Sequence, residues 1–197
     1  MFGRKLGVAG LALAAFATAA AAQTKARHTG WSFGLGVADG KLRVSCSGCE
    51  FPAKEGGLEG VFQVGWSLSD AIIILADGQV YAKHQEDSRG NPANTDYQMG
   101  SVVAQWYPSR KWEHFLKAGF GMSHTAMFLD VSSLGLRDVR SNNGVMRMGL
   151  GTDLRFGRNW SLTPFLDYSL GMSANTNVAG IKAKVSMLSF GVAATWH

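Results

Sequence analysis

The chain has 197 residues, 46% of them hydrophobic and 17% charged, with 25 glycines and a formal net charge of +5. This length accommodates one domain plus a targeting segment. A mean hydropathy near zero argues against helical membrane spans but permits a barrel, in which apolar and polar residues alternate and the average cancels.

In chain order, Arg4 and Lys5 form a positive n-region, Leu6 to Ala19 an apolar run, and Ala20-Ala21-Ala22 a small-residue cleavage site. Residues 1–22 are therefore expected to be a secretory signal peptide, with residues 23–197 as the mature domain. The alternative, a single membrane anchor, fits less well because the run is short and dominated by alanine. Arg4 and Lys5 carry two of the five net charges. The mature chain is thus only mildly basic, and its pI is no argument for nucleic acid as a partner.

Beyond Gly30 eight segments show the period-two alternation of strands. They run Trp31–Val44, Leu58–Leu68, Ala71–His84, Tyr97–Tyr107, Trp112–Met127, Val145–Phe156, Trp160–Ser173 and Lys182–Trp196. The sixth and seventh are the clearest. Met146, Met148, Leu150, Leu154 and Phe156 oppose Arg147, Gly149, Gly151, Asp153 and Arg155; after Gly157-Arg158-Asn159, Trp160, Leu162, Leu166 and Leu170 oppose Ser161, Thr163, Asp167 and Ser169. Most segments reach about ten residues, the length of a tilted membrane strand. Short connections (67–70, 108–111, 157–159) alternate with long ones (46–57, 85–96, 128–143, 174–181), which is the outer-membrane pattern of short periplasmic turns and longer outer loops. The expected fold is all-β, an eight-stranded antiparallel transmembrane β-barrel with long apolar residues toward lipid and small or charged ones toward a narrow lumen. A secreted soluble barrel of the lipocalin kind would need the apolar rows inside, leaving too much Gly and Ala on a solvated surface.

These features resemble the small bacterial outer-membrane β-barrel family, the eight-stranded proteins similar to the OmpA transmembrane domain. The likeness rests on the signal peptide, the eight strands, Ala104-Gln105-Trp106-Tyr107-Pro108 followed by Phe115-Leu116-Lys117-Ala118-Gly119-Phe120-Gly121, and the closing Ser189-Phe190-Gly191-Val192-Ala193-Ala194-Thr195-Trp196. It implies residence in the outer membrane of a Gram-negative-type bacterium, contact with lipopolysaccharide, and insertion by machinery that recognises the terminal strand. That strand ends on its aromatic residue in the family, whereas here His197 follows Trp196. A monomer is expected. The role implied is structural or interactive, with a narrow pore for small solutes or ions as the alternative and a lipid A-modifying enzyme as a further one.

Three groups of residues could carry chemistry. Glu59, Asp77, Lys83, Lys117, Arg147, Asp153, Arg155 and Asp167 fall on inferred lumen faces, four of each sign. Buried charges must be paired or hydrated, so they form either a salt-bridge network plugging the barrel or a gated polar path. Cys46 and Cys49, in an exported chain, are expected to close a disulfide within the first long connection. Thiol exchange or half a zinc site are the other uses of this spacing, but no second cysteine pair or neighbouring histidine completes a metal set. His124 invites comparison with barrel lipid A deacylases. Its neighbour Ser123 points to the opposite face of a strand, however, and the residue two after it is Ala126 rather than serine. Expected, then, are no catalytic residues, no metal and no cofactor. No phosphate-cradling loop or basic–aromatic nucleic-acid stripe occurs.

Overall fold

A computed structural model describes residues 30–47, 53–83, 94–109, 112–131 and 135–197. They form eight long strands and two of two residues: β1 Trp31–Cys46, β2 Ala53–Ser69, β3 Ile72–Lys83, β4 Thr95–Trp106, β5 His114–Val131, β6 Gly135–Thr152, β7 Leu154–Arg155, β8 Trp160–Gly171, β9 Ala174–Asn175 and β10 Lys182–Trp196. Each long strand pairs antiparallel with its chain neighbour, and β1 pairs with β10, so the eight long strands close on themselves. Closure leaves no unpaired edge, the condition for strands to cross a hydrocarbon layer.

The alternation is clearest in β4. In β4, Thr95, Tyr97, Met99, Ser101, Val103 and Gln105 are buried while the residues between them are exposed. Outward rows carry a continuous apolar belt in which Leu35, Leu58, Phe120, Met122 and Phe190 are each about two-thirds exposed or more. An apolar surface running round the whole molecule far exceeds what a water-soluble monomer leaves uncovered. The barrel therefore spans a membrane. All six tryptophans (Trp31, Trp66, Trp106, Trp112, Trp160 and Trp196) lie at or beside strand ends next to the short turns or at the chain's own end strands. Trp31 meets Trp66 edge-on at 5.1 Å between ring centroids, and Phe33 lies 5.8 Å from Trp196. This is an interfacial aromatic girdle, drawn round the turn end.

The strands depart from the expected boundaries at both ends. Val44 does not end β1, and β2 begins at Ala53 rather than Leu58. The expected loop 128–143 is mostly ladder, because β5 runs to Val131, β6 starts at Gly135, and pairs such as Met127↔Val139 continue unbroken. Toward the turns the strands stop earlier: Tyr107 and Trp112 lie outside β4 and β5, and Asp153 interrupts the ladder between β6 and β7. Connection 84–93 lies outside the described residues. The physical reason for the long strands is that they outrun the bilayer. At about 3.3 Å per residue and a tilt near 40°, the 16 residues of β1 rise roughly 40 Å against an apolar band of about 25 Å. Above that band the period of two persists but its polarity inverts. Asp39, Lys41 and Arg43 face out while Leu42 and Val44 face in, and Lys182 and Lys184 face out while Ala183 and Val185 face in.

Candidate functional site

The lumen is layered, and each layer follows from which inward residues share a level. At mid-height, Lys117 of β5, Gly149 of β6 and Asp167 of β8 stand directly opposite one another. Gly149 leaves the space that lets Lys117 reach across to Asp167, since a β-carbon there would fall inside the Asp167 carboxylate. Arg147, opposite Gly119, enters the same space from β6, and Asp77 enters from β3. Lys117 Nζ lies 3.1 Å from Asp77 Oδ2 and 2.8 Å from Asp167 Oδ2. Arg147 Nη1 is 2.8 Å from Asp77 Oδ1, and Nη2 is 2.5 Å from Asp167 Oδ2. Gln63 Nε2 donates a further hydrogen bond to Asp77 at 3.0 Å, and Lys117 sits over the Phe165 ring. The four charged side chains are at most 1% exposed. Two cations against two carboxylates make a neutral, closed set, the arrangement in which mutual attraction and hydrogen bonds best offset the cost of dehydrating ions.

The other four inward charges do not join this cluster. Glu59 accepts a 2.6 Å hydrogen bond from Ser189 Oγ and is in no ion pair among the described residues. Asp153 belongs to a second layer near the turns. It accepts hydrogen bonds from Tyr107 Oη and Thr163 Oγ1, both at 2.6 Å, and Tyr107 Oη in turn accepts one from Gln105. His197 closes this layer, 2.8 Å from Ser161 Oγ and 3.8 Å from Asp153, with its backbone N–H donating to Asn159 C=O. Arg155 stands beside Glu113 at 3.7 Å, at the turn end. Lys83, near the loop end of β3, is partly buried and in no ion pair among the described residues. A pocket of about 10 Å³, at the lower limit for one water, lies among Gln63, Gln105, Asp153, Thr163 and His197.

Above the ion cluster the interior turns apolar, with Leu42, Val44, Tyr81, Tyr97, Met99, Met127, Val185 and Met187 among its members. Tyr107, Gln105, Thr163, Ser189 and Gln63 escaped notice as partners of the charges. The available signal was parity, since four lie on the inward row of a strand and Tyr107 continues the inward row of β4 just past its end, but parity alone does not say which residues share a level. Replacing Tyr107 with phenylalanine is expected to cost about 1–3 kcal/mol, because Asp153 and Gln105 both lose a buried partner. Unfolding in urea, followed by tryptophan fluorescence of the barrel in micelles, measures it.

Cys46 ends β1, and Cys49 lies outside the described residues. His124 faces outward with Nδ1 2.8 Å from Asn142 Oδ1, whereas Ser123 is 3% exposed and faces the lumen, so the two do not form a catalytic pair. Among the described residues no cluster of His, Cys, Asp and Glu could hold a metal ion.

No family model and no curated protein sequence matches the chain. Among solved structures it is similar to Neisserial surface protein A, with a TM-score of 0.56 at 12% identity, covering 83% of this chain and 96% of that one. It is likewise similar to the outer membrane protein OprG from Pseudomonas aeruginosa, with a TM-score of 0.53 at 12% identity, covering 89% and 100%. The fold is that of the small bacterial outer-membrane barrels. At such identities the likeness concerns the path of the chain and its eight-strand closure. It carries no residue of the ion cluster and no activity across. Within this chain, Lys41, Arg43 and the inverted upper third lie at the end opposite the turns 70–71 and 156–159.

Proposed function

We propose that this chain is a closed, non-conducting barrel of the bacterial outer membrane whose role is to hold its outer connections at the cell surface. The supporting observation is the Asp77–Lys117–Arg147–Asp167 cluster, whose four side chains fill the middle of the lumen with no more than 1% of any exposed. A water or ion path would need those bonds to open, and each cation is held by both carboxylates at once. Residues 1–22 act as the export signal in this reading, and Lys182–Trp196 as the strand recognised by the insertion machinery. The barrel works as a monomer in contact with lipopolysaccharide, and Cys46 and Cys49 staple the first outer connection. The apolar belt favours a membrane barrel over a soluble one.

The test is conductance of the refolded mature protein in a planar lipid bilayer, with Arg147→Ala as the comparison. The expected record is silent for the unaltered protein once insertion is shown by protease protection. Reproducible openings whose size shifts in Arg147→Ala would overturn the closed-barrel reading and make the cluster a gate.

A further inference from the structure

Four cations of the outward face lie together on one side of the loop end. Lys41 and Arg43 on β1 and Lys182 and Lys184 on the adjoining β10 are all exposed, and none is in an ion pair among the described residues. Their strands are in register, with Lys41 opposite Leu188, Arg43 opposite Ser186 and Ser45 opposite Lys184, so Arg43 has Lys184 as a diagonal neighbour about 7–8 Å away. Asp39 is the outward acid beside them, one step nearer the membrane. Among the described side chains toward the loop ends of β4, β5 and β6 the pattern differs. Arg140 is held by Asp138 at 2.8 Å, and Asp96, Gln98, His124 and Asn142 add no fixed positive charge.

Beneath these cations lies a groove of about 470 Å³ in the outer wall, lined by Lys41, Arg43, Gly56, Tyr168 and Leu188 among others, and by one acid, Glu55. Gly56 stands opposite Lys41 and contributes no side chain, which opens the notch. Leu188 and Tyr168 face each other across β10 and β8 and continue downward into the apolar belt through Phe190 and Leu166. A ligand seated here would meet guanidinium and ammonium groups above and an unbroken apolar wall below. The loop end also lacks outward tryptophan among the described residues, in contrast to the girdle at the turn end, so its interfacial anchors are charges rather than rings.

We infer that this groove is a binding site for one phosphorylated lipid of the outer leaflet, a lipid A-type glycolipid, with a phosphate on Lys41 and Arg43 and an acyl chain along Leu188 and Tyr168. Arginine beside lysine suits a phosphate, the first by paired N–H donors and the second as a point charge. The site rests on the outer-membrane reading but not on the closed lumen, so a conducting barrel could still bind lipid here and a silent one could fail to.

The experiment is native mass spectrometry of the protein refolded in neutral detergent, titrated with diphosphoryl lipid A, monophosphoryl lipid A, phosphatidylcholine and inorganic phosphate. One diphosphoryl lipid A per barrel is expected, bound more tightly than the monophosphoryl form. Removing Lys41 and Arg43 together should weaken it by about tenfold or more, while Arg140→Ala should change it by less than about twofold, because only the first pair faces the groove. Heat-dependent gel mobility verifies that every variant is folded, and Lys41→Gln/Arg43→Gln replaces the alanine pair should that not fold. Equal retention by the double variant overturns the site. So does phosphatidylcholine held as tightly as lipid A, which would mean an apolar groove alone, or inorganic phosphate displacing the lipid at equal concentration, which would mean a simple anion site.

Discussion

Arg147→Ala is expected to lose about 3–5 kcal/mol of stability, because it breaks a buried ion pair and leaves the surviving charges unbalanced. Arg147 bridges Asp77 and Asp167 through separate nitrogens, and with it gone Lys117 alone faces two carboxylates. Both carboxylates are at most 1% exposed, so each loses a charged partner that bulk water does not replace. The charge argument has its own control. Pairing Arg147→Met with Asp167→Asn restores one cation to one carboxylate, and this double variant is expected to recover at least half of the loss. Urea unfolding in lipid vesicles, read by tryptophan fluorescence and by gel mobility of unheated samples, supplies both values. A loss below about 1 kcal/mol for Arg147→Ala would mean that water already reaches Asp77 and Asp167, and with it the closed lumen fails.

Gly149→Val should be comparably harmful for a different reason. Gly149 is flanked on its own level by Lys117 and Asp167, and any β-carbon there displaces the Asp167 carboxylate. Overpacking costs about 1–3 kcal/mol by itself, and moving Asp167 also weakens its bonds to both cations, so a total of about 3 kcal/mol or more is expected. Gly100→Val is the matched control. It lies in an outward row with nothing within 4 Å of an added β-carbon, so its effect should stay within about 0.5 kcal/mol. The two glycines have identical side chains, and only their faces differ. Similar losses at both would mean that strand propensity, not lumen packing, sets the requirement for glycine.

Much of the fold was legible in the chain because alternation is a local property. In β8, Trp160, Leu162, Leu166 and Leu170 read outward and Ser161, Thr163, Asp167 and Ser169 inward from the sequence alone, and the strand places them so. The short turn 157–159 and the apolar belt follow from the same rule. Asp77, Lys117, Arg147 and Asp167 were each assignable to the lumen by parity. Their meeting was not, since it depends on four strands spread over some ninety positions arriving at one height, and parity says nothing of height. The same limit separated Glu59, Lys83, Asp153 and Arg155 from the cluster, although all share its face. The long ladder through Met127 and Val139 and the outward turn of Lys41 and Arg43 were missed for a related reason. Their alternation is intact but its sign reverses where the strands leave the hydrocarbon, and the position of that boundary is a property of the assembled barrel. From the sequence by itself came the strands, their count and their lipid face, because these follow from the two-residue period of an extended chain. The partners in the lumen and the basic groove on the outer wall were decided only by closure, which fixes how far each strand is staggered against the next.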